Sequence, residues 1–93
     1  MTELKETTVL MQSADYKERF KAEYYQTKIR YEKLKSFNTK IEAARSTMYN
    51  CEGKMCDMPK HDCPDEILRE QQMIMGNYLR ILEVRAVIEG IEL

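Results

Sequence analysis

The stretch that decides the fold is FKAEYYQTKIRYEKLKSFNTKI, residues 20–41. Its apolar and seam-type residues Phe20, Tyr24, Thr27, Tyr31, Leu34, Asn38 and Ile41 step by alternating fours and threes, the spacing that keeps one face of a helix turned to a partner helix. No Gly or Pro interrupts Tyr16 to Asn50, so the pattern predicts one long helix over 15–48. Asp15 followed by Glu18 supplies a capping-box start, and at 1.5 Å per residue the span 16–45 reaches about 45 Å. Working outward, a polar stretch precedes a second periodic segment at Cys63-Pro64-Asp65-Glu66. Pro suits the first helical position, the two acids suit the positive end of the helix dipole, and Cys63 takes the cap position. This helix is expected over 64–90 and to stop at Gly90, a left-handed cap onto which Ile91 and Leu93 can fold back. The expected architecture is all-α: a single domain, 1–93, with an N-terminal arm (1–14), two antiparallel helices and a Cys-rich loop (49–63), assembling into a helical-bundle oligomer.

Oligomerisation is expected because the second helix carries more apolar surface than one partner can cover. Ile67, Ile74, Ile81 and Ile88 form one heptad column, Met75 and Leu82 part of the next, and Tyr78 widens the stripe; these seven residues are the candidate oligomer interface. A hairpin of 93 residues has little core of its own, which favours self-association. The alternative is that residues 2–12, with Leu4, Val9, Leu10 and Met11, cover the extra face within one chain. Gly76, inside the second helix, costs about 1 kcal/mol relative to Ala and marks a close approach of another helix or a ligand. Arg85, one heptad after Tyr78, is placed either to pair with a first-helix Glu or to clamp an anion.

Charge is divided along the chain. The net value is −1, but residues 16–45 carry nine Lys/Arg against four Glu, and residues 46–93 carry five against nine acids. The overall balance argues against general nucleic-acid binding. The basic first helix holds a column at Lys21, Lys28 and Lys35, with Arg30 nearby, interleaved with Tyr24, Tyr25 and Tyr31. Cations hold phosphate oxygens and tyrosine rings stack on bases, so Lys21, Tyr24, Tyr25, Lys28, Arg30 and Tyr31 are candidate nucleotide-binding residues. The competing reading is a solvated flank whose lysines pair with Glu across the seam.

The polar stretch holds Cys51, Cys56, His61 and Cys63, four zinc-type ligands in thirteen residues. The close Cys-x2-Cys turn of familiar zinc sites is missing, and His61 and Cys63 are only two apart, so a hairpin loop that happens to contain thiols is the favoured interpretation and no cofactor is expected. Phosphate-loop, dinucleotide, zinc-protease and serine-hydrolase motifs are absent, and one histidine leaves little acid–base machinery, so the chain is not expected to be an enzyme. No run approaches the ~20 apolar residues of a membrane span, and MTELKETTVLMQS carries charges where a secretion signal is apolar, so a cytoplasmic location is expected.

The run CPDEILREQQMIMGNYLRILEVRAVIEGIEL (63–93), with its Cys-Pro start, Glu-Gln pair, Met-Gly-x-Tyr-Leu-x-Ile-Leu, Val-Arg-Ala and closing Glu-Gly-Ile, resembles the C-terminal half of a small helical protein family of crAss-like phages and of Firmicute phages and prophages. EYYQTKIRYEKLK (23–35) is similar to that family's first helix. The resemblance implies a phage protein acting in the cytoplasm of an infected or lysogenic host, and no catalytic residues come with it. In general design the chain is also similar to the small phage sponges that sequester cyclic nucleotide signals of bacterial immunity. What this implies is a non-enzymatic counter-defence protein whose partners are itself and a cyclic or linear nucleotide. The alternative is a helical inhibitor or scaffold that docks a host defence or phage protein through its apolar stripe.

Overall fold

The computed structural model of the chain describes residues 3–46 and 61–93. A 3-10 turn, Leu4–Thr7, runs into the short helix α1, Thr8–Met11; α2 spans Tyr16–Ser46 and α3 spans Asp65–Glu89. The fold among these residues is all-helical, and none of these helices is long and apolar enough to cross a membrane.

Contacts between α2 and α3 run in opposite directions along the chain. Tyr16 meets Glu89, Asn38 meets Leu68 and Gln72, and Arg45 pairs with Asp65, so the two helices form the expected antiparallel hairpin. Along α2, Phe20, Tyr24, Asn38 and Ile41 are buried and Thr27, Tyr31 and Leu34 half-buried, as the heptad spacing predicts. From α3 the seam receives Leu68, Gln72, Met75, Leu79, Leu82 and Ala86, with Ile91 closing it beyond the helix end. Asn38 Nδ2 donates to the Leu68 carbonyl at 3.2 Å and to Gln72 Oε1 at 2.9 Å. A polar residue in an otherwise apolar seam is satisfied in one alignment of the helices only, and so fixes their register.

The helix ends follow the sequence with two differences. Asp15 Oδ1 accepts the Lys17 N–H at 3.0 Å, which is the expected cap, but the Asp15 N–H donates to Ser13 Oγ at 3.1 Å and not to Glu18. Ser13 thus takes the place of the reciprocal arm of the capping box. At α3 the cap is Pro64 and not Cys63: its ψ of 140° is non-helical while its carbonyl accepts the N–H groups of Ile67 and Leu68. Proline's missing N–H costs nothing there, since no helical partner exists for it. Gly90 at φ 70°, ψ 35° is the expected left-handed cap, and the Ile91 N–H reaches back to the Ala86 carbonyl at 2.8 Å. Ile91 folds into the core, whereas Leu93 remains exposed. Residues 47–60, including the end of the first expected helix and most of the Cys-rich loop, lie outside the described residues.

The N-terminal element lies on α2 and makes no contact cluster with α3. It is held by Thr7, which is fully buried, donates to the Leu4 carbonyl at 2.6 Å and accepts Gln26 Nε2 at 2.9 Å. Ala22 and Ile29 are buried on the side of α2 that the helical period turns away from the α3 seam. The arm therefore does not cover the surplus apolar face of α3. Ile67, Ile74, Ile81 and Ile88 all stay exposed.

Candidate functional site

The two flanks of the α2–α3 seam carry different chemistry. On one flank Tyr24 is buried with the Glu83 carboxylate acting on its hydroxyl, and the Tyr31 ring lies against the α3 backbone at Gly76. A Cβ built on Gly76 would sit 3.4–3.6 Å from the Tyr31 ring, so the glycine does mark a close approach, and the approaching group is an aromatic side chain of α2. On the other flank Tyr78 donates to Glu23, Tyr16 donates to Glu89 at 3.0 Å, and the Arg85 guanidinium lies 4.9 Å from the centre of the Phe20 ring.

The tyrosine flank gathers most of the sequence-derived nucleotide-binding set. Lys28 Nζ sits 5.9 Å from the Tyr24 ring centre, and Tyr24 and Tyr25 meet edge to face with centroids 5.2 Å apart. Lys21, Lys28 and Lys35 stand one above another at heptad spacing beside these rings, and none of the three forms an ion pair among the described residues. The expected pairing of this column with Glu across the seam is not seen there. Their positive charge is left for solvent or an anion. Tyr24 is largely buried, so its ring supports Lys28 and Tyr25 from below; Tyr25 and Tyr31, half-buried, keep more surface for a ligand. Burial, followed by the Glu83 charge, holds the Tyr24 hydroxyl above its usual 10.0 and keeps it protonated and able to donate.

Arg30 stands apart from this group. Two residues on a helix point about 200° away from each other, so Arg30 and Lys28 face nearly opposite directions from α2 and cannot share one phosphate. The helical period alone would have shown this. Sequence reading also passed over Glu83, whose charge acts on the Tyr24 hydroxyl; only the tertiary pairing of α2 with α3 brings the two together.

Arg85 is engaged within its own helix. It pairs with Glu89, four residues on in its own helix, at 2.9 Å, and not with a first-helix acid. The Arg85 hydrogen bond, followed by that of Tyr16, holds the Glu89 carboxyl below its usual 4.5. Tyr78 is raised above 10.0 chiefly by its hydrogen bond to Glu23. The candidate interface set is divided by the fold: Ile67, Ile74, Tyr78, Ile81 and Ile88 present surface, Met75 is half-buried, and Leu82 is fully buried with none to offer.

The candidate metal ligands are described only in part, since Cys51 and Cys56 lie outside the described residues. His61 Nδ1 lies 2.5 Å from the Cys63 carbonyl oxygen and its Nε2 3.0 Å from Asp65 Oδ1, while its ring meets Phe37 edge to face. Both ring nitrogens are thus engaged by protein oxygens. Among the described residues no group of three or more His, Cys, Asp and Glu side chains is arranged to hold a metal. Asp65, in the first turn of α3, receives both His61 and Arg45 and ties the far end of α2 to the start of α3.

Comparison with known families places the chain. A model of the Sequestin family matches residues 14–88. The chain belongs to the Sequestin family. The matched span takes in the Asp15 cap, all of α2 and nearly all of α3, and leaves out the N-terminal element. No curated protein and no solved structure matches the chain.

Proposed function

We propose that this Sequestin-family chain is a phage-encoded, non-enzymatic counter-defence protein that, as an oligomer, binds and sequesters a nucleotide second messenger. The observation that carries this is the flank on which Lys21, Lys28 and Lys35, free of ion pairs among the described residues, stand beside Tyr24, Tyr25 and Tyr31. Unneutralised lysines favour phosphate oxygens, and the half-buried rings of Tyr25 and Tyr31 offer stacking surface for bases. The family's name, with its sense of sequestration, is consistent with this role, as is the sequence's resemblance to small phage proteins. Lys21 and Lys28 contact phosphate, Tyr25 and Tyr31 stack, and Tyr24 holds the other groups in place. Arg30, on the far side of α2, contributes only where the assembly brings another copy's site to it.

Native mass spectrometry of protein purified from a bacterial host, repeated after denaturation, tests the assignment. A nucleotide-sized mass that disappears on denaturation is expected. Lys21→Glu with Lys28→Glu should lower affinity for that nucleotide at least tenfold while leaving the helical content unchanged; unchanged affinity in this double variant would sink the assignment. Arg30→Glu separates an inter-chain site from one formed within a single hairpin.

A second reading is favoured by the exposed isoleucines of α3. Ile67, Ile74, Ile81 and Ile88 form an apolar column of the kind that helical inhibitors use to dock a host defence or phage protein. Under that reading pull-down from infected cells recovers a stoichiometric partner and no nucleotide copurifies.

A further inference from the structure

Near the far end of α2 the tyrosine flank opens into a recess of about 110 Å3 between α2 and α3. Asn38, Ile41, Glu42 and Arg45 line it from α2, and Asp65 and Arg69 from α3. Helical period places it on this flank from both sides. Glu42 follows Lys21, Lys28 and Lys35 at the same seven-residue step, and Arg69 stands seven residues before Gly76, the point on α3 against which the Tyr31 ring lies. The recess therefore continues the lysine column beyond the six sequence-derived ligand residues.

Its side chains divide into a fixed wall and two unpaired charges. Arg45 and Asp65 engage each other, and Asp65 also receives His61. Asn38 and Ile41 are buried, with the Asn38 amide held by Leu68 and Gln72. Glu42 and Arg69 are exposed, and neither has an ion pair among the described residues, even with the other. A free carboxylate accepts hydrogen bonds, a free guanidinium donates them, and Ile41 supplies an apolar surface. Glu42 opposes a simple anion here and Arg69 a simple cation. A nucleobase suits both, since its amino and ring N–H groups can donate to the carboxylate while its ring nitrogens and carbonyl oxygens accept from the guanidinium.

We infer that this recess is a base-reading subsite, in which Glu42 and Arg69 bond the edge of a nucleobase whose phosphate lies on Lys35. The inference rests on the nucleotide reading given under Proposed function and adds to it the residues that read a base. Lys35 is one heptad from Glu42, about 10 Å along α2, which is close to the distance between base edge and phosphate in one nucleotide. Tyr25 and Tyr31 precede Lys35 on α2 and so lie on its other side. They take no part in holding this base and stay open to another ring of the ligand.

Calorimetric titration of the full chain with AMP, GMP, CMP and UMP, and with ribose 5-phosphate as the probe that has the phosphate but no base, tests this. At least one of the four nucleotides should bind about tenfold or more tightly than ribose 5-phosphate, because hydrogen bonds to charged groups are worth that much. Glu42→Ala with Arg69→Ala leaves the net charge of the chain unchanged, so the general attraction for phosphate is kept. This double variant should bring the preferred nucleotide down to the level of ribose 5-phosphate, with the affinity for ribose 5-phosphate and the helical circular dichroism both retained. Lys35→Ala should weaken all five probes. Equal binding of base-bearing and base-free probes by the wild type overturns the inference and leaves the lysine column's role intact. So does a double variant that keeps its base preference, or that loses ribose 5-phosphate as strongly as the nucleotide. Binding of none of the five probes overturns the inference together with the nucleotide reading.

Discussion

The hairpin's two flanks are built from the same two helices but differ in what they leave unsatisfied. On the flank of Tyr24 and Tyr31 the aromatic groups are packed and the cations are not: Tyr31 rests on Gly76, Tyr24 is buried in the core, and Lys21, Lys28 and Lys35 have no ion pair among the described residues. On the flank of Tyr78 the charged groups are engaged and the aliphatic ones are not: Glu23 takes Tyr78, Arg85 takes Glu89 and covers Phe20, and the isoleucine column faces solvent. Unpaired charge on a surface costs little and attracts an oppositely charged ligand; unpaired apolar area attracts another apolar surface. One flank is suited to a small anion and the other to a protein.

The comparison can be broken at its hinge, the seam that both flanks share. Leu82 is 0% exposed and its neighbour Ile81 46% exposed. Leu82→Ala should lose about 2–5 kcal/mol in chemical denaturation, because it removes buried volume that the two helices cannot close. Ile81→Ala, measured at a concentration where the chain is a monomer, should move stability by about 0.5 kcal/mol or less. Equal losses at the two positions would mean that the assignment of faces is wrong.

Gly76 sharpens the tyrosine flank. The added Cβ of Gly76→Ala would make ordinary van der Waals contact with Tyr31, so the helix gain should appear as up to about 1 kcal/mol of added stability. A leucine at the same position has no such room and should lower stability by displacing the Tyr31 ring, with a change in tyrosine fluorescence as the readout.

The smallest expected effect is on pH dependence, and it differs between the flanks. Glu89 sits below its usual value because its ionised form is bonded by Arg85 and Tyr16, so its contribution is present at neutral pH and declines as pH falls below 4.5. Arg85→Gln should flatten that acid limb of the melting curve. Tyr24 and Tyr78 sit above 10.0, so the fold favours their protonated forms and loses that contribution as pH rises past 10.0. Tyr24→Phe should weaken the alkaline loss on its own flank and leave the acid limb unchanged.

Much of this was legible in residue spacing. The run from Phe20 to Ile41 needed only the heptad steps to be read as the inner face of α2, and Gly90-Ile91 needed only the conformational freedom of glycine and a following apolar residue. Spacing also contained the separation of Arg30 from Lys28, since it follows from the angle between residues two apart. Other features were illegible for definite reasons. Cys63 and Pro64 both fit a helix start, and the choice between them turned on the Pro64 carbonyl reaching Ile67 and Leu68. Asp15-x-x-Glu18 fits a capping box, but Ser13 competes for the same N–H from outside the pattern.

By itself the sequence determined two long helices, the inner face of the first, the cap at Gly90 and the surplus of apolar residues on the second, because each of these depends on local conformational preference or on helical period. Only the tertiary structure decided which side of the hairpin each surplus would occupy. The hydrogen bonds of Tyr78 to Glu23 and of Asn38 to Gln72 fix how α2 and α3 are rotated against each other, and the Thr7–Gln26 bond holds the N-terminal element on α2. These are contacts between residues far apart in the chain, so no local preference encodes them. They are what leaves lysines on one flank and isoleucines on the other.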